Sequence, residues 1–148
     1  MKIINNFKIP EKYKKSAIAI GNFDGIHLGH QKVFKETKKF AMTEKIKFGV
    51  LTFNPLPLMF FNKNIKNFRL TSEEQKLKIF KKSKVDFVIN IKFNKKFSNI
   101  KAEEFIKKII CEKINAQLPN GSIQRFLSFF VLLNCKFCAI FSMFSLEK

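Results

Sequence analysis

The residues of this chain best suited to chemistry are His27 and His30, its only histidines, in the run Gly21-Asn22-Phe23-Asp24-Gly25-Ile26-His27-Leu28-Gly29-His30. Spaced three apart, they fall on one side of a first helical turn. Gly29 between them is expected to keep that turn clear of a side chain, so that a phosphate chain can approach the backbone. A helix starting here adds unpaired N–H groups and the positive end of its dipole, which together make an anion site. Imidazole donors at such a site can hold a phosphate chain and take up charge as it leaves. Phosphoryl and nucleotidyl transfer need positioning and electrostatic stabilisation, with no covalent nucleophile on the protein. An HxxH pair also suits a weak metal site or a surface accident. A metal would want a third ligand, for which Asp24 is the nearby candidate. The place of the pair, after a glycine-containing loop and before a helix, favours phosphate binding.

The elements that must hold these residues are legible as alternating apolar runs and amphipathic stretches. Ala17–Phe23 reads as a buried strand entering the Gly/Asp/Gly loop, and Leu28 to about Ala41 as a helix. Phe48–Phe53 is a second continuous apolar strand, stopped at Asn54-Pro55-Leu56-Pro57 because two prolines forbid further pairing. Thr71-Ser72-Glu73-Glu74 starts a helix, with a hydroxyl at the cap and carboxylates in the first turn; Leu77 and Phe80 give its inner face. Val85–Ile91 is a third strand rich in β-branched residues. A helix from about Ala102 to Ile114 presents Phe105, Ile106, Ile109, Ile110 and Ile114 on one face. Strand–helix alternation of this kind implies an α/β fold, a Rossmann-like parallel sheet with flanking helices. Ligands of such sheets sit at the carboxyl ends of the strands, where both the histidine run and Asn54 fall.

Composition narrows the partners. The 148 residues carry a net charge of +18, almost wholly from lysine, since Arg69 and Arg125 are the only arginines. Abundant Lys, Asn, Ile and Phe are what an A+T-rich coding sequence produces, and the lysines are scattered instead of forming a dense block among exposed aromatics. That pattern speaks against nucleic acid as the main partner and for a basic surface that tolerates anionic small molecules. Cys111, Cys135 and Cys138 make an odd count without framework spacing, as expected of reduced thiols in the cytoplasm. The CxxC pair at Cys135 and Cys138 has no second pair or nearby His to complete a zinc site and reads as two buried thiols. The first fifteen residues are charged and lack the apolar region of a signal peptide.

With these residues in view, GNFDGIHLGHQ resembles the GxFDxxHxGH signature of the HxGH nucleotidylyltransferase superfamily. Asn22 and Gly25 make it most similar to the N-terminal FMN adenylyltransferase module of the prokaryotic bifunctional riboflavin kinase/FAD synthetase family. LTFNPLPLMFF from Leu51, RLTSEEQK from Arg69 and VDFVINIKFNKKFSNIKAEEF from Val85 resemble that module's second phosphate-side loop, central helix and third strand, in order. The resemblance implies a cytoplasmic nucleotidyltransferase moving AMP from ATP to FMN, giving FAD and pyrophosphate with Mg²⁺; the alternatives are a non-catalytic nucleotide-binding module and an adenylyltransferase for another phosphorylated cofactor precursor. Its partners would be the small molecules ATP and FMN. By position, His27 and His30 would hold and stabilise the ATP phosphates. Gly21, Asn22, Phe23, Asp24 and Gly29 would shape the nucleotide pocket, and Asn54 would face the reacting phosphates; no protein metal ligand is implied.

The chain departs from the family pattern at Leu56, where a histidine is usual between the two prolines, and beyond Gln117. The family continues there with a strand, a Gly/Phe-rich flavin loop, a Ser/Thr-rich segment ending in Arg, and a riboflavin kinase domain. The expected organisation is therefore a domain over residues 1–117, incomplete at its C-terminus, and a divergent apolar tail over 118–148. Between Phe126 and Leu146 only Lys136 is charged. Three readings of the tail compete: a membrane anchor over 126–146, a native replacement for the missing strand, and an out-of-frame or truncated run that impairs FAD formation. The abrupt shift from Lys/Asn-rich to charge-poor sequence favours the last, and Asn134, Lys136 and several serines weigh against the first.

Overall fold

A computed structural model of the chain describes residues 1–62, 69–101 and 104–117. The elements in order are β1 (Lys2–Ile4), a 3₁₀ turn (Glu11–Tyr13), β2 (Ala17–Ile20), α1 (Leu28–Thr43), β3 (Phe48–Asn54), α2 (Pro57–Phe61), α3 (Glu73–Lys82), β4 (Phe87–Lys92), α4 (Lys95–Ser98) and the π-wound α5 (Phe105–Ile114). The four strands form one sheet in the order β1-β4-β3-β2, with every pairing parallel. This is the expected α/β architecture with one strand more. β1 is a three-residue edge strand that pairs Ile4 with Ile89, too short to announce itself by periodicity.

Side chains of β3 alternate between two buried faces, which explains its unbroken apolar run. Phe48 and Val50 join Ala17, Ala19, Phe34, Phe80 and Val88 on the face covered by α1 and α3. Leu51 and Phe53 join Ile18, Ile20, Phe87, Ile89 and the apolar stripe of α5 on the other. All five apolar residues expected on the last helix are buried. Their spacing runs from Phe105 through Ile109 and Ile110 to Ile114, steps of four to five residues that suit i→i+5 winding. That helix ends at Asn115, in the left-handed region at φ 52°, and Gln117 then bridges in parallel to Ala17 on β2.

Two strands are shorter than their apolar runs. β2 stops at Ile20 because the chain turns into the loop, where Phe23 takes φ 50°. β4 starts at Phe87 because Val85 is still closing α3, its N–H donating to the Phe80 carbonyl. The helix start at Ser72 is as expected: Ser72 Oγ accepts from Gln75 N–H while the Gln75 side chain accepts from Ser72 N–H, a full capping box. Phe80 is fully buried and Leu77 half-buried, but the same inner stripe also holds Lys76. The tail 118–148, with Cys135 and Cys138, lies outside the described residues. Among the described residues no helix is long and apolar enough to cross a membrane.

Candidate functional site

The loop between β2 and α1 is fixed from both sides. Gly21 N–H donates to the Leu51 carbonyl at 3.0 Å, holding the loop's first residue on β3. Asp24 then reaches across to the segment before α3, where its carboxylate accepts from Leu70 N–H at 3.0 Å, Thr71 N–H at 2.9 Å and the Thr71 hydroxyl at 3.0 Å. Thr71 Oγ1 in turn accepts from Gly25 N–H at 3.2 Å. Gly25 sits at φ 73°, a conformation that favours glycine, and a Cβ there would push aside the exposed Leu70 side chain, whose Cδ1 would lie 2.8 Å away. Phe23 is the loop's anchor, buried against Phe34, Phe80 and the edge of the His30 ring.

Anchored this way, the loop delivers His27 as the N-cap of α1 and His30 one turn in. The two imidazoles stack with centroids 3.8 Å apart and planes 24° from parallel. His27 is exposed and its Nδ1 accepts from Gly29 N–H at 3.2 Å, which leaves its Nε2 to donate outward. His30 is buried at 8% exposure, and its Nδ1 has no hydrogen-bond partner. Burial first, and the electrostatic influence of the stacked His27 second, lower the His30 pKa to about 4, while Asp24 pulls the other way. His30 is therefore neutral near pH 7, a polar donor–acceptor instead of a fixed cation.

Gly29 also makes room for the cap itself. A Cβ there would meet His27 Cε1 at 3.0 Å and Nδ1 at 3.1 Å, so the missing side chain makes room for the capping imidazole. The Gly29 N–H is also occupied by His27 and is not a free donor in this arrangement.

The second half of the site lies at the carboxyl ends of β3 and β4. Thr52 Oγ1 donates to the Asn22 carbonyl at 3.2 Å and pairs in register with Asn90, so Asn22, Thr52 and Asn90 form a polar row across the sheet end. The side-chain oxygens of Asn22 and Asn90 are buried without partners, an arrangement that costs free energy until a donor arrives. Asn54 has a partner at this edge: its Oδ1 accepts from Arg69 Nη2. Arg69 also binds Glu73 at 3.2 Å, and Glu73 binds Lys76 at 2.9 Å. Sequence reasoning passed over Arg69 and Lys76. The available signals were a rare arginine and a lysine four residues before Phe80, on the inner stripe of α3. Among the described residues no group of three or more His, Cys, Asp or Glu is placed to hold a metal ion.

The structure thus gathers Gly21, Asn22, Asp24, His27, Gly29, His30 and Asn54 at one sheet edge and assigns Phe23 to the core beneath them. A parallel sheet with a stacked histidine pair opening its first crossover helix defines an α/β domain with a histidine-bearing polar carboxyl edge. The family model for FAD synthetase matches residues 9–118. The chain belongs to the FAD synthetase family.

A bifunctional riboflavin kinase/FMN adenylyltransferase of Buchnera aphidicola subsp. Schizaphis graminum is 40% identical over 116 residues, covering 78% of this chain and 37% of the relative. Its counterpart in Bacillus subtilis is 34% identical over 104 residues, covering 69% of this chain and 33% of the relative. The chain therefore spans about a third of the length of these curated relatives. A solved structure from Streptococcus pneumoniae, described as a macrolide-efflux protein, shares the fold with a TM-score of 0.65 at 25% identity, over 77% of this chain and 38% of that one.

Proposed function

We propose that this domain transfers AMP from ATP to FMN, releasing pyrophosphate and forming FAD. The observation that carries the reading is the stacked His27–His30 pair at the start of α1, on the carboxyl edge of a parallel sheet, in a chain of the FAD synthetase family. In the reaction an oxygen of the FMN phosphate attacks the α-phosphorus of ATP, and the bond from that phosphorus to the β-bridging oxygen breaks as pyrophosphate departs. The imidazoles contribute donors that strengthen as charge builds on the leaving pyrophosphate, which favours the transition state over the bound substrate. Gly21 and Asn22 shape the nucleotide end, and Asn54 places its loop against the reacting phosphates through Arg69.

Mg²⁺ belongs to this reading as the ion that accompanies ATP and neutralises charge on its phosphates. Asp24 is a poor protein ligand for it, because three donors from Leu70 and Thr71 already bind its carboxylate. The proposal further places the module at residues 1–117, apart from the tail 118–148, and in the cytoplasm. Support for the boundary is the match to residues 9–118 and the Gln117–Ala17 bridge.

The test is calorimetric titration of the chain with ATP and FMN, together with assay for FAD and pyrophosphate in the presence of Mg²⁺. His27→Ala and His30→Ala should each weaken ATP binding, or cut any turnover by about a hundredfold, the usual cost of losing one transition-state donor. Unchanged ATP affinity and rate in both variants would refute the phosphate role.

A further inference from the structure

The trio Arg69, Glu73 and Lys76 carries an unbalanced charge. One carboxylate serves two cations, since Glu73 Oε1 lies 3.2 Å from Arg69 Nη1 and 2.9 Å from Lys76 Nζ. Among the described residues neither cation pairs with another carboxylate, and Asn54 Oδ1 is a neutral acceptor. The three side chains are unequally placed: Lys76 is 4% exposed, while Arg69 is 25% and Glu73 27% exposed. The lysine is thus spent inside, against the carboxylate, and the excess positive charge falls on the half-open guanidinium. Arg69 Nε is buried and has no hydrogen-bond partner. An arginine with one donor unmet and its charge uncompensated suits an anion, for which the planar guanidinium is well shaped.

Its location limits which anion. Arg69 bonds Asn54 at the end of β3, and the next residue, Leu70, sits on Asp24 in the loop that carries both histidines. Arg69 therefore stands between the two loops of the carboxyl edge. In-line transfer puts the attacking phosphate and the leaving pyrophosphate on opposite sides of the α-phosphorus. If the imidazoles take the leaving side, the group due at a separate cation is the attacking one.

We propose that Arg69 is a binding residue for a substrate phosphate, the phosphomonoester of the acceptor, and that Lys76 is a positioning residue that keeps Arg69 uncompensated by holding Glu73. The proposal rests on the adenylyl-transfer reading for the identity of the acceptor. Its own content is a phosphate preference set by this trio.

The experiment uses the intact chain and three ligands measured separately, FMN, riboflavin and ATP, by flavin fluorescence or calorimetry, with circular dichroism to confirm folding. Arg69→Gln should weaken FMN about tenfold or more, as loss of a charge-assisted hydrogen bond does, and leave riboflavin and ATP unchanged. Arg69→Lys, which keeps the charge, should retain most of the preference. Lys76→Gln should weaken FMN in the same direction. Glu73→Gln should tighten FMN, because it frees a second positive charge; a purely structural trio would show the reverse.

A wild-type chain that takes FMN no better than riboflavin overturns the proposal. So do equal losses of FMN and riboflavin in Arg69→Gln, or weaker FMN in a folded Glu73→Gln. Loss of ATP alone in Arg69→Gln overturns the assignment to the acceptor. The adenylyl-transfer reading fails separately, if His27→Ala and His30→Ala leave ATP affinity and rate untouched.

Discussion

His30 should make the folded domain sensitive to mild acid. In the native state its pKa is lowered to about 4, against 6.5 when unperturbed, chiefly because the ring is buried and next because His27 stands over it. The depressed value fixes the sign. Between pH 6.5 and 4 the unfolded chain binds a proton that the native chain does not, so stability is full above the unfolded pKa and falls as pH falls through this window. At about 1.36 kcal/mol per pKa unit the whole window is worth about 3 kcal/mol, of which about 2 kcal/mol is lost by pH 5. This is an upper value, since the ring at 8% exposure keeps an edge toward water.

Carboxylates also titrate in this range, so the measurement is a difference. Urea unfolding of the wild type and of His30→Gln at about pH 7.5 and pH 5 should show the wild type losing about 1–2 kcal/mol more than the variant, which carries no titrating ring. His30→Gln will be less stable at neutral pH, because it gives up the Phe23 and His27 ring contacts, but that loss does not depend on pH. Equal slopes in the two proteins would refute the reasoning and place His30 in water.

Other substitutions separate stability from binding. Gly29→Ala should leave stability within about 1 kcal/mol, since alanine favours helix, yet weaken ATP because its Cβ displaces the His27 ring from 3.0 Å; paired unfolding and calorimetric measurements check this. Gly25→Ala should lower the midpoint of thermal unfolding by several degrees, from about 1–2 kcal/mol of strain at φ 73°. Asp24→Ala should cost about 1–3 kcal/mol by stranding the donors of Leu70 and Thr71, and should detach the histidine loop from α3, seen as faster amide exchange across residues 21–30. A chain ending after Gln117 should fold and be more soluble than the intact one, its bridge to Ala17 retained; a loss of folded signal on that cut would show that the tail belongs to the core.

What the sequence disclosed and what it hid have physical causes. β3 was readable because both faces of a central parallel strand are buried, which forces a continuous apolar run. The start of α3 was readable because Ser72 and Gln75 satisfy each other's backbone locally. The histidine pair was readable because helix spacing and a preceding loop are short-range facts. β1 was not, since three residues carry no period and its hold on the sheet comes from β4, over eighty residues away. Arg69 meets Asn54 only through the tertiary fold. Lys76 was disguised by composition: in a chain with 29 basic residues, one more lysine on a helix reads as solvated surface. The contact of Gly29 with the His27 ring was not readable, because spacing shows that a side chain is absent but not which group fills the space.

The net charge of +18 explains little of this site. Scattered surface lysines are screened by salt within about 10 Å and have no fixed direction, so they can raise the local concentration of anions without orienting one. Orientation falls to a few groups whose charge state and position are fixed by the fold. In the adenylyl-transfer reading those groups divide the work. His30, neutral and buried, holds the triphosphate weakly before reaction and gains most as charge develops on the leaving side. Arg69, permanently charged, gives the attacking phosphate a fixed place before that charge appears. A cation in the position of His30 would bind ATP and pyrophosphate alike and slow product release. A neutral group in the position of Arg69 would leave the phosphomonoester unaligned, and misplacement of about 1 Å can cost a hundredfold in rate. In that reading the depressed pKa of His30 and the uncompensated charge of Arg69 are complementary demands of one displacement.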